Sequence, residues 1–186
     1  MTSGQFHRPR PLLKTDLLDQ FDCGKASMND WLKKHAFQSQ ASAHTKTLVV
    51  VDEQQRVIAY CAYSVGSVEH ENATPERVKK GLAKFPIPVF LIARLAVDQS
   101  MQGRKLGKRF LRFILRRAAK AANEEIPLRA VVVDAIDDEA KQFYSQFDFT
   151  QWPVDGLRMW LLMKDLQTTL KSAIPADEPF AEPAET

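Results

Sequence analysis

Cysteine is scarce in this chain. Cys23 and Cys61 are the only two, too few for a disulfide framework and in keeping with a reducing compartment. Long apolar runs are also missing, since no stretch approaches the roughly 18 residues of a membrane span. The opening MTSGQFHRPRPLLK lacks the apolar core of a secretory signal, so no leader is expected. His7, His35, His44 and His70 fall in no metal-ligand spacing, and neither HExxH nor CxxC occurs, so no metal is expected. There is no GxxxxGK[ST] phosphate loop and no GxGxxG dinucleotide fingerprint, which excludes two common nucleotide-binding designs. Together these absences predict a cytoplasmic protein that makes no membrane contact.

What remains is ordinary globular composition with an uneven charge. Of the 186 residues, 45% are hydrophobic and 26% charged, the balance of a soluble domain rather than a disordered or fibrous chain. A chain of this length buries roughly 70% of its unfolded surface, enough for one real core. The formal net charge of +3 conceals two parts. From Ser172 the sequence SAIPADEPFAEPAET holds four acids, three prolines and no base. Such a segment cannot offset its ordering entropy and is expected to be a disordered acidic tail, 172–186. The body, 1–171, then carries 26 bases against 19 acids, a net +7. Eight of those bases lie between Met101 and Ala122, where no acid occurs at all.

Periodicity predicts a helix capped by Ser27 and running through MNDWLKKHAFQSQ, with Met28, Trp31, Leu32 and His35 at helical spacing. Thr47–Val51 and Val57–Val65, joined by the polar DEQQR, read as a β-hairpin. A short polar helix is expected around Pro75 to Leu82. The near-continuous apolar run Val89–Val97 reads as a strand buried on both faces. MQGRKLGKRFLRFILRRAAKAA follows as a long amphipathic helix. A second buried strand is expected over Leu128–Asp134, a helix from Asp137 to about Phe147, and a last strand over Arg158–Met163. The order implies an α/β fold, a mixed central β-sheet flanked by helices. Its middle β–α–β forms a parallel pair with a right-handed crossover.

The junction RLAVDQSMQGRKLGKRF, Arg94 to Phe110, carries the chemistry. A strand ends at Val97, and a helix begins from a loop holding Gly103 and Gly107. A glycine loop at a helix start offers unpaired N–H groups and a positive dipole end. Arg104, Lys105 and Lys108 add full charges there, which together describe a site for a pyrophosphate. On a helical wheel Arg104, Lys108, Arg112, Arg116 and Lys120 follow one track, with Lys105 and Arg109 beside it. Leu106, Phe110, Leu111, Ile114, Leu115 and Ala118 take the opposite arc. A solubilising face usually mixes signs, so a single-sign stripe also suits nucleic-acid phosphates. Arg94, alone among apolar neighbours, needs a partner or a cavity and is a candidate for lining a substrate site.

Here the sequence resembles the GNAT family of acetyl-CoA-dependent N-acetyltransferases, whose signature is Q/R-x-x-G-x-G/A. The chain reads Gln102-Gly103-Arg104-Lys105-Leu106-Gly107, matching the first and last anchors and placing Lys105 where the family has its middle glycine. The blocks FDCGKASMNDWL, IPVFLIARLAVDQSMQGRKLGKRFL and DDEAKQFYSQFDF further resemble GNAT-fold toxins of type II toxin–antitoxin pairs. That resemblance implies a splayed parallel strand pair forming an acetyl-CoA cleft. Leu95, Ala96 and Val97 would bind the thioester arm and its oxyanion, and Gln102, Gly103, Arg104, Lys105, Leu106, Gly107 and Lys108 the pyrophosphate. Tyr144 would be the general acid.

The same resemblance implies acetylation of the α-amino group of the amino acid on aminoacyl-tRNA, which blocks translation. Arg94, Arg109, Arg112 and Arg116 are the candidate tRNA contacts. It also implies a ribbon-helix-helix antitoxin, operator DNA bound by the pair, and a homodimer. No general base is evident, and an aminoacyl ester lowers the pKa of its own amine. Asp137, Asp138 and Glu139 read as helix-capping acids. Cys61 reads as a small core residue, Cys23 as a loop thiol, and Trp31, Trp152 and Trp160 as packing or interface residues. Two alternatives stay open: a GNAT enzyme acting on a protein N-terminus, lysine or small amine, and a non-catalytic acyl-CoA-binding interaction module.

Overall fold

Alternating and β-branched runs of the chain become strands, as their composition requires. The computed structural model describes residues 7–71 and 74–172. The expected hairpin is β2 (Lys46–Val51) against β3 (Val57–Val68), antiparallel from Lys46↔Tyr63 to Val51↔Val57. Its turn is held by Asp52, whose Oδ1 accepts the N–H groups of Gln54 at 2.9 Å and Arg56 at 3.0 Å. On the outer side of β2 sits a two-residue strand, β1 (Arg10–Pro11). A proline fits this edge position because it has no ladder hydrogen to donate. Behind it, the Arg10 guanidinium forks onto the buried Asp16 carboxylate at 2.6 and 2.9 Å.

Further along, β4 (Ile87–Val97) and β5 (Ala130–Asp134) form the expected parallel pair, Val89↔Ala130 through Ile92↔Val133. β7 (Arg158–Leu162) lies antiparallel to β5, and β6 (Thr150–Gln151) closes the far edge. The strand order is β1-β2-β3-β4-β5-β7-β6, one mixed seven-stranded sheet.

The described residues divide into two compact units, the first containing 7–63 with 94–113 and the second 64–71, 74–93 and 114–172. In the first, Leu12, Leu18, Phe21, Leu32, Val49, Val57, Tyr60 and Ala96 make the core. It is covered by α1 (Ala26–Lys34) and α2 (Ala36–Ala41). In the second, Val78, Ile87, Val89, Val132, Trp152, Trp160 and Leu162 pack together. The short α3 (Glu76–Lys79) is tied down there by Arg129, whose guanidinium donates to the carbonyls of Val78 at 2.8 Å and Lys80 at 3.0 Å. Such cation-to-carbonyl bonds satisfy the acceptors a helix C-terminus leaves over.

Four local expectations need correction. The first helix is two, because His35 leaves helical geometry at φ −124°. Its start is Lys25, with no side-chain cap, so Ser27 lies inside the first turn. The long basic helix, α4 (Leu106–Glu124), begins five residues later than the periodicity placed it, because Gly103 and Lys105 both have positive φ. Arg104 and Lys105 are therefore loop residues, not members of the helical track. Finally, β7 runs directly into a helix, α6 (Met163–Ser172), that the polar run DLQTTLKS did not announce. It takes Ser172 into the ordered body; the rest of the proposed acidic tail lies outside the described residues.

Candidate active site

The end of β4 and the loop that follows are built by a lattice of short hydrogen bonds. Asp98 starts a 3-10 turn over Gln99–Met101, its Oδ1 accepting the Ser100 N–H at 2.9 Å and hydroxyl at 2.6 Å. Its other oxygen accepts the Asp22 N–H at 2.9 Å. Asp22 in turn accepts from the Gly24 N–H at 2.8 Å and the Asn29 amide at 2.7 Å. The Gly24 and Asn29 donors hold the Asp22 carboxyl below the ordinary carboxylate range. Asn29 also accepts the Cys23 N–H at 2.9 Å. The side-chain amide of Gln102 then donates to the carbonyls of Val97 at 2.9 Å and Cys23 at 3.1 Å. The FDCG loop and the strand end are thus bound to the glycine loop through one residue.

Both donors of the Gln102 side-chain amide go to the protein, so this side chain shapes the loop. Asp22, Asn29 and Asp98 were not singled out by sequence. Their signal is the Asp-x-Gly and Asp-x-Ser spacing of side-chain-closed turns, which acquires meaning only once the two loops are adjacent.

Beyond Gln102 the backbone opens. Gly103 has φ +77°, and a Cβ built there would meet nothing within 4 Å. Arg109 N–H donates to the Lys105 carbonyl at 3.1 Å, closing the first turn of α4. The N–H groups of residues 106–108 therefore lack intrahelical acceptors. Arg104, Lys105 and Lys108 are exposed around them, while Leu106 anchors the turn in the interior. Lys105 has φ +61°, the left-handed geometry a glycine would supply. The lysine thus preserves the turn and adds a cation, at a backbone cost of about 1–2 kcal/mol. Lys105→Gly is accordingly expected to leave stability within about 1 kcal/mol, relief of strain offsetting glycine's entropy. It is expected to weaken acetyl-CoA binding several-fold; a thermal melt paired with a cofactor titration checks both.

On β4, Leu95 and Val97 are half-buried and share one face, while Ala96 joins the core on the other, beside Arg94. Arg109 is half-buried and Arg112 exposed on α4. The structure thus gathers Arg94–Val97, Gln102–Lys108, Arg109 and Arg112 in the first unit. Arg116, half-buried, belongs to the second. So does Tyr144, on α5 (Asp138–Ser145), which is 4% exposed with its ring edge-on to Phe143 and tilted against Phe149. Asp137 caps that helix by accepting the Ala140 N–H at 2.9 Å, and Asp138 and Glu139 occupy its first turn. Cys61 is buried in β3, and burial pushes the half-buried Cys23 thiol up, away from the thiolate.

Comparison with known proteins finds similarity across most of the chain. A family profile described as Acetyltransferase (GNAT) domain covers residues 44–151. A relative from Mycobacterium tuberculosis (strain ATCC 25618 / H37Rv), named tRNA-acetylating toxin, is 38% identical over 165 residues, 89% of this chain and 97% of its own. The chain belongs to the GNAT acetyltransferase family.

Solved GNAT toxins share the fold. AtaT complexed with acetyl-methionyl-tRNAfMet superposes with TM-score 0.79 at 18% identity, covering 88% of this chain and 98% of that one. A tyrosine-to-phenylalanine variant of AtaT, bound to acetyl-CoA and the C-terminus of the antitoxin AtaR, gives 0.75 at 18%, covering 88% and 97%. Acetyl-CoA is the GNAT acyl donor, and this loop suits its pyrophosphate: open space over Gly103, unpaired first-turn N–H groups and three exposed cations. No helix among the described residues is long and apolar enough to cross a membrane.

Proposed function

We propose that this acetyltransferase is the toxin of a type II toxin–antitoxin pair, acetylating the α-amino group of the amino acid on aminoacyl-tRNA and so stopping translation. One observation carries the substrate class: the 38% identity to a tRNA-acetylating toxin runs over 97% of that relative's length. The cationic side of α4, where the first acid is Glu124 in its last position, supports it. Arg112 and Arg116 have no carboxylate partner among the described residues, and the Lys120–Glu124 pair at 3.8 Å lies at the far end of the helix.

In this reading residues 1–171 act as one acetyltransferase domain. The backbone N–H groups of Gly103, Arg104, Lys105, Leu106, Gly107 and Lys108, with their cations, hold the pyrophosphate, and Leu95–Val97 align the thioester arm. When bound, acetyl-CoA supplies an activated acyl carbon. A main-chain donor on β4 stabilises the carbonyl oxygen as charge develops, a contribution of about 3 kcal/mol. The acceptor amine forms the new N–C bond while the C–S bond breaks, and one proton passes in net from nitrogen to sulfur. Tyr144 donates its O–H to that sulfur. A phenol near pKa 10 facing a thiolate near 8.5 is uphill by about 2 kcal/mol, so hydrogen bonding during bond cleavage is its main contribution. The partners that go with this reading are a ribbon-helix-helix antitoxin, operator DNA held by the complex, and a second copy of the chain, all in the cytoplasm.

The test is a cell-free translation reaction. Purified protein with acetyl-CoA is expected to arrest synthesis, and protein without acetyl-CoA is not. Undiminished translation in the presence of both would overturn the proposal.

A further inference from the structure

Arg94 is the only charged residue in Ile87–Val97, and its surroundings are unusual for an arginine. Its guanidinium carbon sits 4.8 Å from the centroid of the Trp31 ring. Trp31 is itself stacked on Tyr60, with centroids 5.9 Å apart and planes inclined by 13°. Tyr60 is fully buried, is edged by Phe21 at 5.4 Å, and donates its hydroxyl to the Met28 carbonyl of α1 at 2.8 Å. Burial raises the Tyr60 phenol well above its ordinary range, so it stays neutral and keeps that bond. The guanidinium is therefore held on a fixed aromatic wall.

What it lacks is an anion. Arg94 Nε is buried without a hydrogen-bond partner, and no carboxylate pairs with the side chain among the described residues. Cation–π contact satisfies the face of a guanidinium but none of its in-plane N–H donors. A half-buried, forked donor set with no acceptor is matched by a phosphate or carboxylate.

We infer that Arg94 anchors the 5′-phosphate of the 3′-terminal nucleotide of the acceptor, so that the enzyme reads an aminoacyl nucleotide and not an amino acid. The inference rests on the aminoacyl-tRNA reading above. The amino acid's own carboxyl is esterified and offers no anion, which leaves the nearest phosphate. Eight covalent bonds separate the reacting amine from that phosphorus, a reach of at most about 10 Å. Arg94 precedes Leu95–Val97, along whose main chain the acyl group is placed, by one to three strand residues, or about 3–10 Å measured along the backbone, and its side chain leaves the strand on the face of Ala96. Base stacking is a poorer use of this site, since a base laid on the same face of Trp31 would have to displace the guanidinium.

The experiment uses stable amide analogues, 3′-aminoacylamino-adenosine with and without a 5′-phosphate, both bearing one neutral amino acid. Each competes against intact aminoacyl-tRNA with the full-length enzyme and acetyl-CoA. For wild-type enzyme the phosphate is expected to improve inhibition by at least about tenfold, the worth of a charged hydrogen-bonded pair. Arg94→Gln is expected to bring the two analogues to equal inhibition, and Arg94→Lys to retain part of the difference, with thermal midpoints and acetyl-CoA titrations confirming that both variants are folded. No gain from the phosphate in wild type, whether both analogues bind equally or neither binds, overturns the inference; so does a gain that persists in Arg94→Gln. Inorganic phosphate competing as well as the nucleotide would also overturn it. Failure of the wild-type enzyme to acetylate intact aminoacyl-tRNA is a separate result, which removes the reading beneath it.

Discussion

Tyr144→Phe is expected to lower acetyl transfer by about a hundredfold or more, with acetyl-CoA affinity unchanged. The substitution removes one oxygen from a side chain that is only 4% exposed. The phenyl ring keeps its packing on Phe143, at 5.4 Å, and on Phe149, at 5.5 Å. Loss of a buried hydroxyl costs about 1 kcal/mol, so the fold should survive with a slightly lower melting midpoint. The effect should fall on turnover, because a donor to the leaving sulfur gains strength only as negative charge develops. Single-turnover rates with saturating acetyl-CoA check it. Undiminished turnover would return Tyr144 to a packing role, which its aromatic neighbours would allow.

The second large effect is expected on tRNA affinity. Arg112→Glu with Arg116→Glu should reduce the steepness of the salt dependence of tRNA binding by about 1.4–1.8 log units per log unit of salt, as two phosphate contacts are lost. Affinity near 0.1 M salt should fall at least about tenfold. Acetyl-CoA binding should be unaffected. The opposite side of α4, with Phe110, Leu111, Ile114, Leu115 and Ala118 all buried, fixes the helix independently of its charged side. An unchanged salt slope would mean that this side is only solvated.

The parts of the fold read most easily from sequence were those in which a single period repeats. The β2–β3 hairpin, the parallel β4–β5 pair and the amphipathic α4 each follow from local pattern. Two-residue strands such as Arg10–Pro11 and Thr150–Gln151 have no pattern to read, because pairing partners alone create them. α6 has no readable period because Met163 and Leu166 are its only buried residues, too thin a stripe for a helical pattern. The start of α4 is hidden in the sequence for a conformational reason: a left-handed Lys105 looks like any helical lysine on a wheel.

At the site the division is similar. The glycine loop and its cations stand out in the sequence as a pattern, whereas Tyr144, read alone, is one more aromatic of its helix and enters only through the family resemblance. The tie from Gln102 to Cys23, 79 positions away in sequence, required the folded chain. So did the stacking of Arg94 on Trp31. The sequence marks Arg94 as an anomalous charge and Trp31 as a packing or interface residue, and only their contact turns an isolated charge into an oriented one.

The central claim is tested most directly by following the acetyl group itself. Aminoacyl-tRNA, purified protein and acetyl-CoA labelled in its acetyl carbon are combined, and the products are separated before and after mild alkaline hydrolysis of the ester. The label should travel with tRNA and be released by alkali as an N-acetylated amino acid, with the amount formed dropping sharply in Tyr144→Phe. Label that remains on protein, or that never leaves acetyl-CoA, would contradict the account.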